Sequence, residues 1–333
     1  MDQFSAHLDR GWDLVQRGDA LAAEQSARRA LELDAQSPEA FNLLGYAAAM
    51  QGEFEDAIEY YRTALSLDDT YLEAMLNAAE VYIHPIGDFD SAVDMCEQAL
   101  ELAENDDEVV DAQLLMFDAL MAKGEFDAAK ALTRRFPAGP FENPNHTFLV
   151  GRALYEVSET DRALPLVESV LAAQPKHSEA LYYLGLIRDE HGEAAQATEA
   201  FLRSRELDLE LLPPPWAMSR EAFELKAKAA AASLSPEYKQ FLREGEVYVS
   251  DVPGVEVVVD GVDPRALLLL DGVPGDGPDD PPKARVFVYQ RNVERIAGLM
   301  DELEQEIVAA LEREITLAFV EVPPSQPADR GLN

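Results

Sequence analysis

Residues 41–61, FNLLGYAAAMQGEFEDAIEYY, decide the fold of this chain. Apolar residues recur at helical spacing before and after the central Gly52, which predicts two helices joined by a short turn. Gly45 on the first helix and Ala57 on the second helix are small, so the two helices are able to approach closely. The stretch therefore predicts a helix-turn-helix unit.

The same unit recurs along the chain, as two ladders of residues show. The second-helix alanine returns at intervals of 34, 35, 37, 34 and 34 residues, as Ala23, Ala57, Ala92, Ala129, Ala163 and Ala197. A turn residue stands five positions before each alanine, as Gly18, Gly52, Gly87, Gly124, Ser158 and Gly192. Units of this length bury their apolar faces only by stacking on their neighbours. The sequence therefore predicts a mainly α-helical protein with an α-solenoid of six units over residues 1–210.

The unit resembles the tetratricopeptide repeat, whose 34-residue pattern has Leu-Gly on the first helix and Ala, an aromatic residue and Ala on the second. Residues 38–71 and 178–211 match this pattern best, the latter through Leu184, Gly185, Ala197 and Phe201. Glycine occupies the small position of the first helix at Gly11, Gly45, Gly151 and Gly185. The resemblance implies an extended surface that binds other proteins.

Two copies depart from the pattern. Residues 72–106 and 107–140 carry Ala79 and Phe117 in place of the glycine, and insertions lengthen both copies. The junction near residues 136–140, Phe-Pro-Ala-Gly-Pro, is predicted to be the least regular.

A proline-rich linker is predicted at residues 211–217, because proline lacks the amide donor that a helix needs. A small α+β domain is predicted at residues 218–322, and a disordered tail at 323–333. The predicted helices of this domain span about residues 219–233, 236–243 and 302–319. Its predicted strands and extended segments lie at 246–250, 254–259 and 285–289.

The predicted α+β domain resembles the minimal zincin family of metallopeptidase-like domains. The resemblance rests on three segments in order: Val247 to Pro253, Leu269 to Pro274, and Arg285 to Arg295. In that family the last helix carries His-Glu-x-x-His, whose two histidines hold a catalytic zinc ion.

At that helix this chain departs from the family. Arg313 and Leu317 stand at the histidine positions, and only Glu314 matches the catalytic glutamate. The chemistry of this motif needs two imidazoles one helical turn apart to hold zinc, so that the water bound to the metal becomes a nucleophile near neutral pH. All five histidines precede the linker, so no zinc ligands, cofactor or catalytic residues are predicted here, and Glu314 is expected to pair with an arginine.

An oxygen-only metal site is the remaining possibility in this domain. Asp276, Asp279 and Asp280 would suit calcium or magnesium, but such an Asp, Gly and Pro cluster is typical of a solvated turn.

The charge of the chain restricts its partners. It has 27 basic and 64 acidic residues, a formal net charge of −37. Nucleic acid and anionic membranes are disfavoured as partners, because phosphates are bound by clustered Lys and Arg. A basic or apolar protein or peptide is favoured, although the acidity also fits a role in solubility or a salty cytoplasm.

The predicted location is the cytoplasm. The amino terminus shows no signal-peptide pattern, and no run of residues is long and apolar enough to span a membrane. Cys96 is the single cysteine, which fits a reducing compartment. It stands four residues after Ala92, where other copies carry a core aromatic residue, so it is predicted to be a core residue.

The leading functional hypothesis is a scaffold that binds a protein or peptide partner in a concave groove. The resemblance implies that the first helix of each repeat lines this groove, with Asn42, Tyr46, Ala49, Tyr182 and Leu186 as candidate partner-binding residues. The acidic α+β domain would then be a non-catalytic module. The alternatives are a metal-dependent peptidase with unusual or borrowed zinc ligands, and a domain that caps the open end of the solenoid.

Overall fold

The structure is a computed structural model, which describes residues 2–273 and 283–320. The chain divides into two compact units, Met1–Pro175 and Lys176–Asn333, and each is described separately. Within the described residues, no helix has the length and apolar character needed to cross a bilayer.

The first unit consists of five consecutive helix pairs. Its helices are α1 Gln3–Gln16, α2 Ala20–Leu33, α3 Pro38–Met50, α4 Phe54–Leu67, α5 Leu72–Val81, α6 Phe89–Leu102, α7 Asp106–Lys123, α8 Phe126–Leu132, α9 Pro144–Glu156 and α10 Thr160–Ala173. Odd-numbered helices are the first helices of their pairs, and successive first helices from α1 to α9 contact one another. The predicted helical repeat is therefore observed, whereas the count of six repeat units stays a prediction.

Both ladders of the sequence have a structural role. The six alanines of the second helices are all buried, with at most 2% of any side chain exposed. The five glycines of the turn ladder have φ between 74° and 80°, a left-handed conformation that favours glycine. Ser158, with φ of 59°, is the one non-glycine residue with positive φ among the described residues.

The irregular intervals also have structural causes. A π-helical turn, Tyr82–Ile86, follows α5 and accommodates the extra residue of the 35-residue interval. The 37-residue interval contains α7, which has 18 residues where α3 has 13. A 3-10 turn, Thr133–Arg135, and a loop separate α8 from α9, so the predicted irregular junction is confirmed.

The second unit combines a sixth helix pair with a mixed helix and strand module. Its helices are α11 Ser178–Glu190, α12 Ala194–Glu210, α13 Arg220–Ser233, α14 Pro236–Lys239, α15 Val255–Val259, α16 Gln290–Ala297 and α17 Leu303–Ile315, which continues as a π-helical turn, Thr316–Val320. Its strands are β1 Leu242–Ser250, β2 Leu268–Val273 and β3 Lys283–Tyr289. The predicted domain limits at residues 210 and 218 remain predictions.

The three strands form a mixed sheet in the order β1-β3-β2. β1 pairs with β3 in parallel, with Val247 opposite Val286, and β2 pairs with β3 antiparallel, with Leu270 opposite Val286. Alternate residues of the strands point into a core shared with α13 and α17, in which Phe223 and Leu311 are fully buried. The module is therefore a sheet covered on this face by two helices.

Two sequence predictions for this module were wrong in detail, and two elements, β2 and α16, were not predicted. The predicted helix at 236–243 ends at Lys239, because the chain enters β1 at Leu242. The predicted extended segment at 254–259 is the short helix α15. The helix α16 buries Asn292, Val293 and Glu294. The predicted tail at 323–333 lies outside the described residues.

Candidate functional site

Two adjoining clefts run across the first helices of the first unit, and together they are called the groove. The first cleft, of about 250 Å³, is lined by residues that include Tyr46, Ala49, Met50, Asn77, Glu80 and His84. The second, of about 300 Å³, shares Asn77 and Glu80 and adds Leu115, Asp118, Leu149 and Arg152. The groove therefore crosses α3, α5, α7 and α9.

One register position supplies much of the groove. This position directly follows the position of the pattern's glycine on each first helix. In the pairs from α3 to α9 it holds Tyr46, Glu80, Asp118 and Arg152, and all four line the groove. Tyr46 and, at the same position of α11, Leu186 were predicted from the sequence. The corresponding residues of α5, α7 and α9 were not predicted. Applying the repeat register to the two irregular copies would have found Glu80 and Asp118, and applying it after Gly151 would have found Arg152.

The groove combines carboxylates with apolar side chains. Arg152 Nη2 lies 3.7 Å from Asp118 Oδ1, and each of these side chains is about one-third exposed. Burial raises the pKa of Asp118 above its usual value, although Arg152 and His84 act in the opposite direction. Burial of a carboxylate that lacks a close hydrogen-bonded cation is costly. A second cation from a ligand would therefore be stabilised beside Asp118.

The polar floor of the first cleft is held by side-chain amides. Asn77 Nδ2 donates a hydrogen bond of 3.0 Å to Asn42 Oδ1, and Asn42 Nδ2 donates one of 3.2 Å to the Tyr71 hydroxyl. Asn42 is fully buried, so it lies beneath the surface and orients Asn77, which lines the groove. Tyr46 and Ala49 are half-buried and line the first cleft, and the Tyr46 and Trp12 rings meet edge to face with their centres 5.6 Å apart. The role of Tyr46 and Ala49 in partner binding stays a prediction.

A buried histidine fixes one acidic side chain of the second cleft. His146 Nδ1 lies 2.7 Å from Asp107 Oδ1, and its Nε2 lies 2.8 Å from Asp111 Oδ1. Asp111 lines the cleft, while His146 is 2% exposed on α9. The histidine therefore ties α7 to α9 and holds the Asp111 carboxylate in position at the groove.

The remaining candidate residues, Tyr182 and Leu186, lie on α11 in the second unit, and both are half-buried. The Tyr182 hydroxyl donates a 2.7 Å hydrogen bond to Asp263 Oδ2, and the Arg265 guanidinium lies 4.3 Å from the centre of the Tyr182 ring. Burial, and next the Asp263 carboxylate, raise the pKa of Tyr182. The loop after α15 therefore already covers Tyr182.

Arg265 belongs to a buried ion cluster that joins this loop to the sixth helix pair. Its Nε lies 2.9 Å from Asp208 Oδ2, and both side chains are 9% exposed. Its Nη1 lies 2.8 Å from Glu179 Oε2, and Arg295 Nη1 lies 3.2 Å from Asp208 Oδ2. Burial alone would raise the pKa of Asp208, but hydrogen bonds from Arg265 and Ser178 hold it below its usual value. The cluster is a structural tie within the second unit.

The helix that resembles the zincin helix is α17. Arg313 Nε donates to Glu314 Oε1 at 3.3 Å, and Leu317, in the following π-helical turn, is 52% exposed. Glu314 thus lies beside a guanidinium, the pairing that the sequence analysis expected. Across residues 2–273 and 283–320 there is no group of three or more His, Cys, Asp or Glu side chains placed to hold a metal ion. Asp276, Asp279 and Asp280 lie outside the described residues.

Cys96 lies in the core of the first unit, as predicted. It is fully buried on α6, and burial raises the pKa of its thiol to about 12. A thiol in this state is a poor nucleophile.

Comparisons with known proteins agree with this architecture. The tetratricopeptide repeat family matches residues 8–71, 87–144 and 149–208, more than half of the chain. No curated protein sequence matches the chain.

Solved structures share the fold at low identity. PilF of Pseudomonas aeruginosa is 18% identical, with 68% of this chain and 97% of PilF covered and a TM-score of 0.53. PilW, a type IV pilus biogenesis factor, is 16% identical, with 61% and 92% covered and a TM-score of 0.52. YrrB, a TPR protein with an unusual peptide-binding site, is 22% identical, with 54% and 91% covered and a TM-score of 0.42. These likenesses concern the fold.

Proposed function

This chain is a tetratricopeptide-repeat protein, and from that premise we propose that its groove binds an extended segment of a partner protein. The partner segment carries a lysine or arginine flanked by apolar residues. The observation that carries the proposal is the groove itself, in which Glu80 and Asp118 lie among the apolar side chains of Met50, Leu115 and Leu149.

The chemistry of the groove favours a cation over an anion. A basic side chain placed between Glu80 and Asp118 would offset the desolvation that raises the pKa of Asp118. The apolar side chains would bury the neighbouring residues of the partner, while the Asn77 amide is placed to bond with its main chain. Tyr46 and Ala49 contribute to the same surface, and Asn42 positions Asn77. Tyr182 and Leu186 lie on α11 of the second unit, and their role in partner binding stays a prediction.

Selection from a display library of short random peptides tests this function on the full-length protein. We expect enrichment of peptides with a Lys or Arg next to apolar residues. Binding should be lost in Glu80→Gln/Asp118→Asn and kept in Glu97→Gln/Glu101→Gln, which removes the same charge from exposed positions of α6. Peptides without a shared pattern, or equal binding by the two variants, would refute the proposal.

The second part of the proposal concerns the helix and strand module, which acts as a non-catalytic part of a cytoplasmic scaffold. The contact between Arg313 and Glu314 supports this role, because the Arg313 guanidinium lies beside the carboxylate that a zincin would use in catalysis. Metal analysis of the purified protein by plasma mass spectrometry tests it. We expect no stoichiometric zinc. Stoichiometric zinc, together with a peptidase activity that is lost when a chelator removes the metal, would favour the peptidase alternative.

A further inference from the structure

A cleft with several cationic side chains lies in the module of the second unit, and Glu314 is not among the residues that line it. It has a volume of about 550 Å³ and opens between α13, α14 and the start of β1 and β3. Lys228, Lys239, Arg243 and Lys283 line it, and we call it the basic cleft.

The charge of the basic cleft contrasts with that of the whole chain. Acidic residues outnumber basic ones by 64 to 27 in the chain, but four cations and a single carboxylate, Glu244, are found among the described residues that line the cleft. Lys228 Nζ lies 2.5 Å from Glu224 Oε1, and Arg243 Nη1 lies 3.5 Å from Glu246 Oε1. Such half-exposed ion pairs contribute little to stability, so an incoming anion can take over these cations at small cost.

The floor of the basic cleft is apolar. Leu242, Val247 and Val286 line it, and all three belong to the buried core of the module, with at most 9% of each residue exposed. Ala231 and Ala232 at the end of α13 form an apolar wall. The volume lies in the range of small-molecule pockets, which combine an apolar lining with a few charged groups.

We propose that the basic cleft binds a small amphipathic anion, with a carboxylate or phosphate head among the four cations and an apolar body against the core residues. The apolar floor distinguishes this ligand from a bare inorganic anion, which would make no use of Leu242 or Val286. The cations distinguish it from a neutral apolar molecule, which would form no charge-assisted contacts with the lysines and the arginine of the lining.

Isothermal titration calorimetry on the full-length protein tests the proposal. The probes are dodecanoate, dodecyl phosphate and, as the cationic counterpart, dodecyltrimethylammonium, each used below its micellar concentration. We expect saturable binding of at least one anionic probe with one site per chain and no comparable binding of the cation. Comparison of the first two probes decides between a carboxylate and a phosphate head.

Three variants locate the site. Lys239→Glu/Lys283→Glu should weaken anion binding about tenfold or more, because it replaces two charge-assisted contacts by repulsion. Lys176→Glu/Lys226→Glu changes the net charge equally at positions that do not line the cleft and should bind as the parent does. Ala232→Trp should abolish binding by filling the cleft without altering the charge, and circular dichroism confirms that each variant is folded.

Several results would overturn the proposal. These are absence of binding by both anionic probes, equal affinity for the cationic probe, or unchanged affinity in both the Lys239→Glu/Lys283→Glu and the Ala232→Trp variants. Binding of an acidic peptide in place of the small anions would likewise show that the occupant is a protein segment.

Discussion

Side-chain size is matched within each helix pair. The position of the pattern's glycine on the first helix faces the residue four positions after the second-helix alanine. Four of these pairs are Gly45 with Tyr61, Ala79 with Cys96, Gly151 with Val167, and Gly185 with Phe201. A Cβ atom added at Gly45 would lie 2.5 Å from the Tyr61 ring, and one added at Gly185 would lie 2.4 Å from the Phe201 ring. Gly45 and Gly185 are therefore required by the aromatic ring opposite them, and Ala79 is accommodated because its counterpart is Cys96. A Cβ atom added at Gly151 would lie 3.3 Å from Val167, and one added at Gly11 would lie 2.3 Å from Leu43 of the next pair.

Gly45→Ala should destabilise the first unit by about 2 to 3 kcal/mol, since overpacking of a buried site forces the Tyr61 ring to move. In a Tyr61→Cys background, which copies the pair of the third repeat, the same change should cost less than about 1 kcal/mol. Trp12 fluorescence during urea unfolding, in a Trp216→Phe background, measures both. Equal cost in the two backgrounds would show that the ring does not limit the space at Gly45.

Ser158→Gly should stabilise the first unit by about 0.5 to 1 kcal/mol, because a non-glycine residue is strained at positive φ. Gly124→Ser, at the equivalent turn with φ of 80°, should have the opposite sign. Both positions are exposed, so packing changes little. Thermal unfolding followed by circular dichroism measures the two shifts, and a shift of the same sign in both variants would contradict the turn argument.

At the scale of elements, the loop between α15 and β2 is tied to α11 and α12 by Arg265. Further contacts join α12 to other parts of the module: Arg205 Nε donates to the carbonyl of Pro253, which precedes α15, at 2.6 Å, and Arg291 Nη1 of α16 donates to the Leu209 carbonyl at 3.0 Å. The sixth helix pair and the module therefore form one packed body within the second unit.

Arg265→Ala should destabilise the second unit by about 3 to 5 kcal/mol, because it leaves Asp208 buried without its main cation. Arg295→Ala, whose side chain is 34% exposed, should cost less than about 1 kcal/mol. Trp216 packs against the core of this unit, so its fluorescence in a Trp12→Phe background reports the unfolding. A similar cost for both variants would contradict the assigned role of Arg265.

The pH dependence of the parent protein follows from the lowered pKa of Asp208. A carboxyl whose pKa is lower in the folded state contributes stability above its unfolded pKa, near 3.8. That contribution is lost as the pH falls through the folded pKa. Asp208→Asn should therefore be less stable than the parent at pH 7, and the difference should shrink as the pH falls below about 4.

The sequence predicted the elements whose pattern is local and missed those that depend on tertiary contacts. Turn glycines and buried alanines fix the helix pairs, so those were predicted closely. Val255 to Val259 is rich in residues that favour strands, yet the segment is helical where it packs against α12. Among the candidate partner-binding residues, Tyr46 and Ala49 line the groove, whereas Asn42 is buried and hydrogen-bonded to Tyr71 and to Asn77 of the next repeat.

At the scale of the whole molecule, the charge of −37 attracts any basic peptide, so specific binding must be separated from general attraction. Asp118 provides a means of separation, because its pKa is raised in the unbound protein and a bound cation would lower it. Affinity for a basic peptide should therefore fall as the pH decreases towards the raised pKa of Asp118. Fluorescence anisotropy at constant ionic strength measures this, and Asp118→Asn should show a weaker pH dependence than Glu97→Gln.

The central claim is that the groove over the first helices is where the partner binds. Hydrogen–deuterium exchange of the full-length protein, with and without a peptide selected from the display library, tests it most directly. The account predicts slower exchange in α5, whose residues line both clefts, and in α7, whose residues line the second cleft, with unchanged exchange in α6. Protection confined to second helices or to residues 220–320 would contradict it.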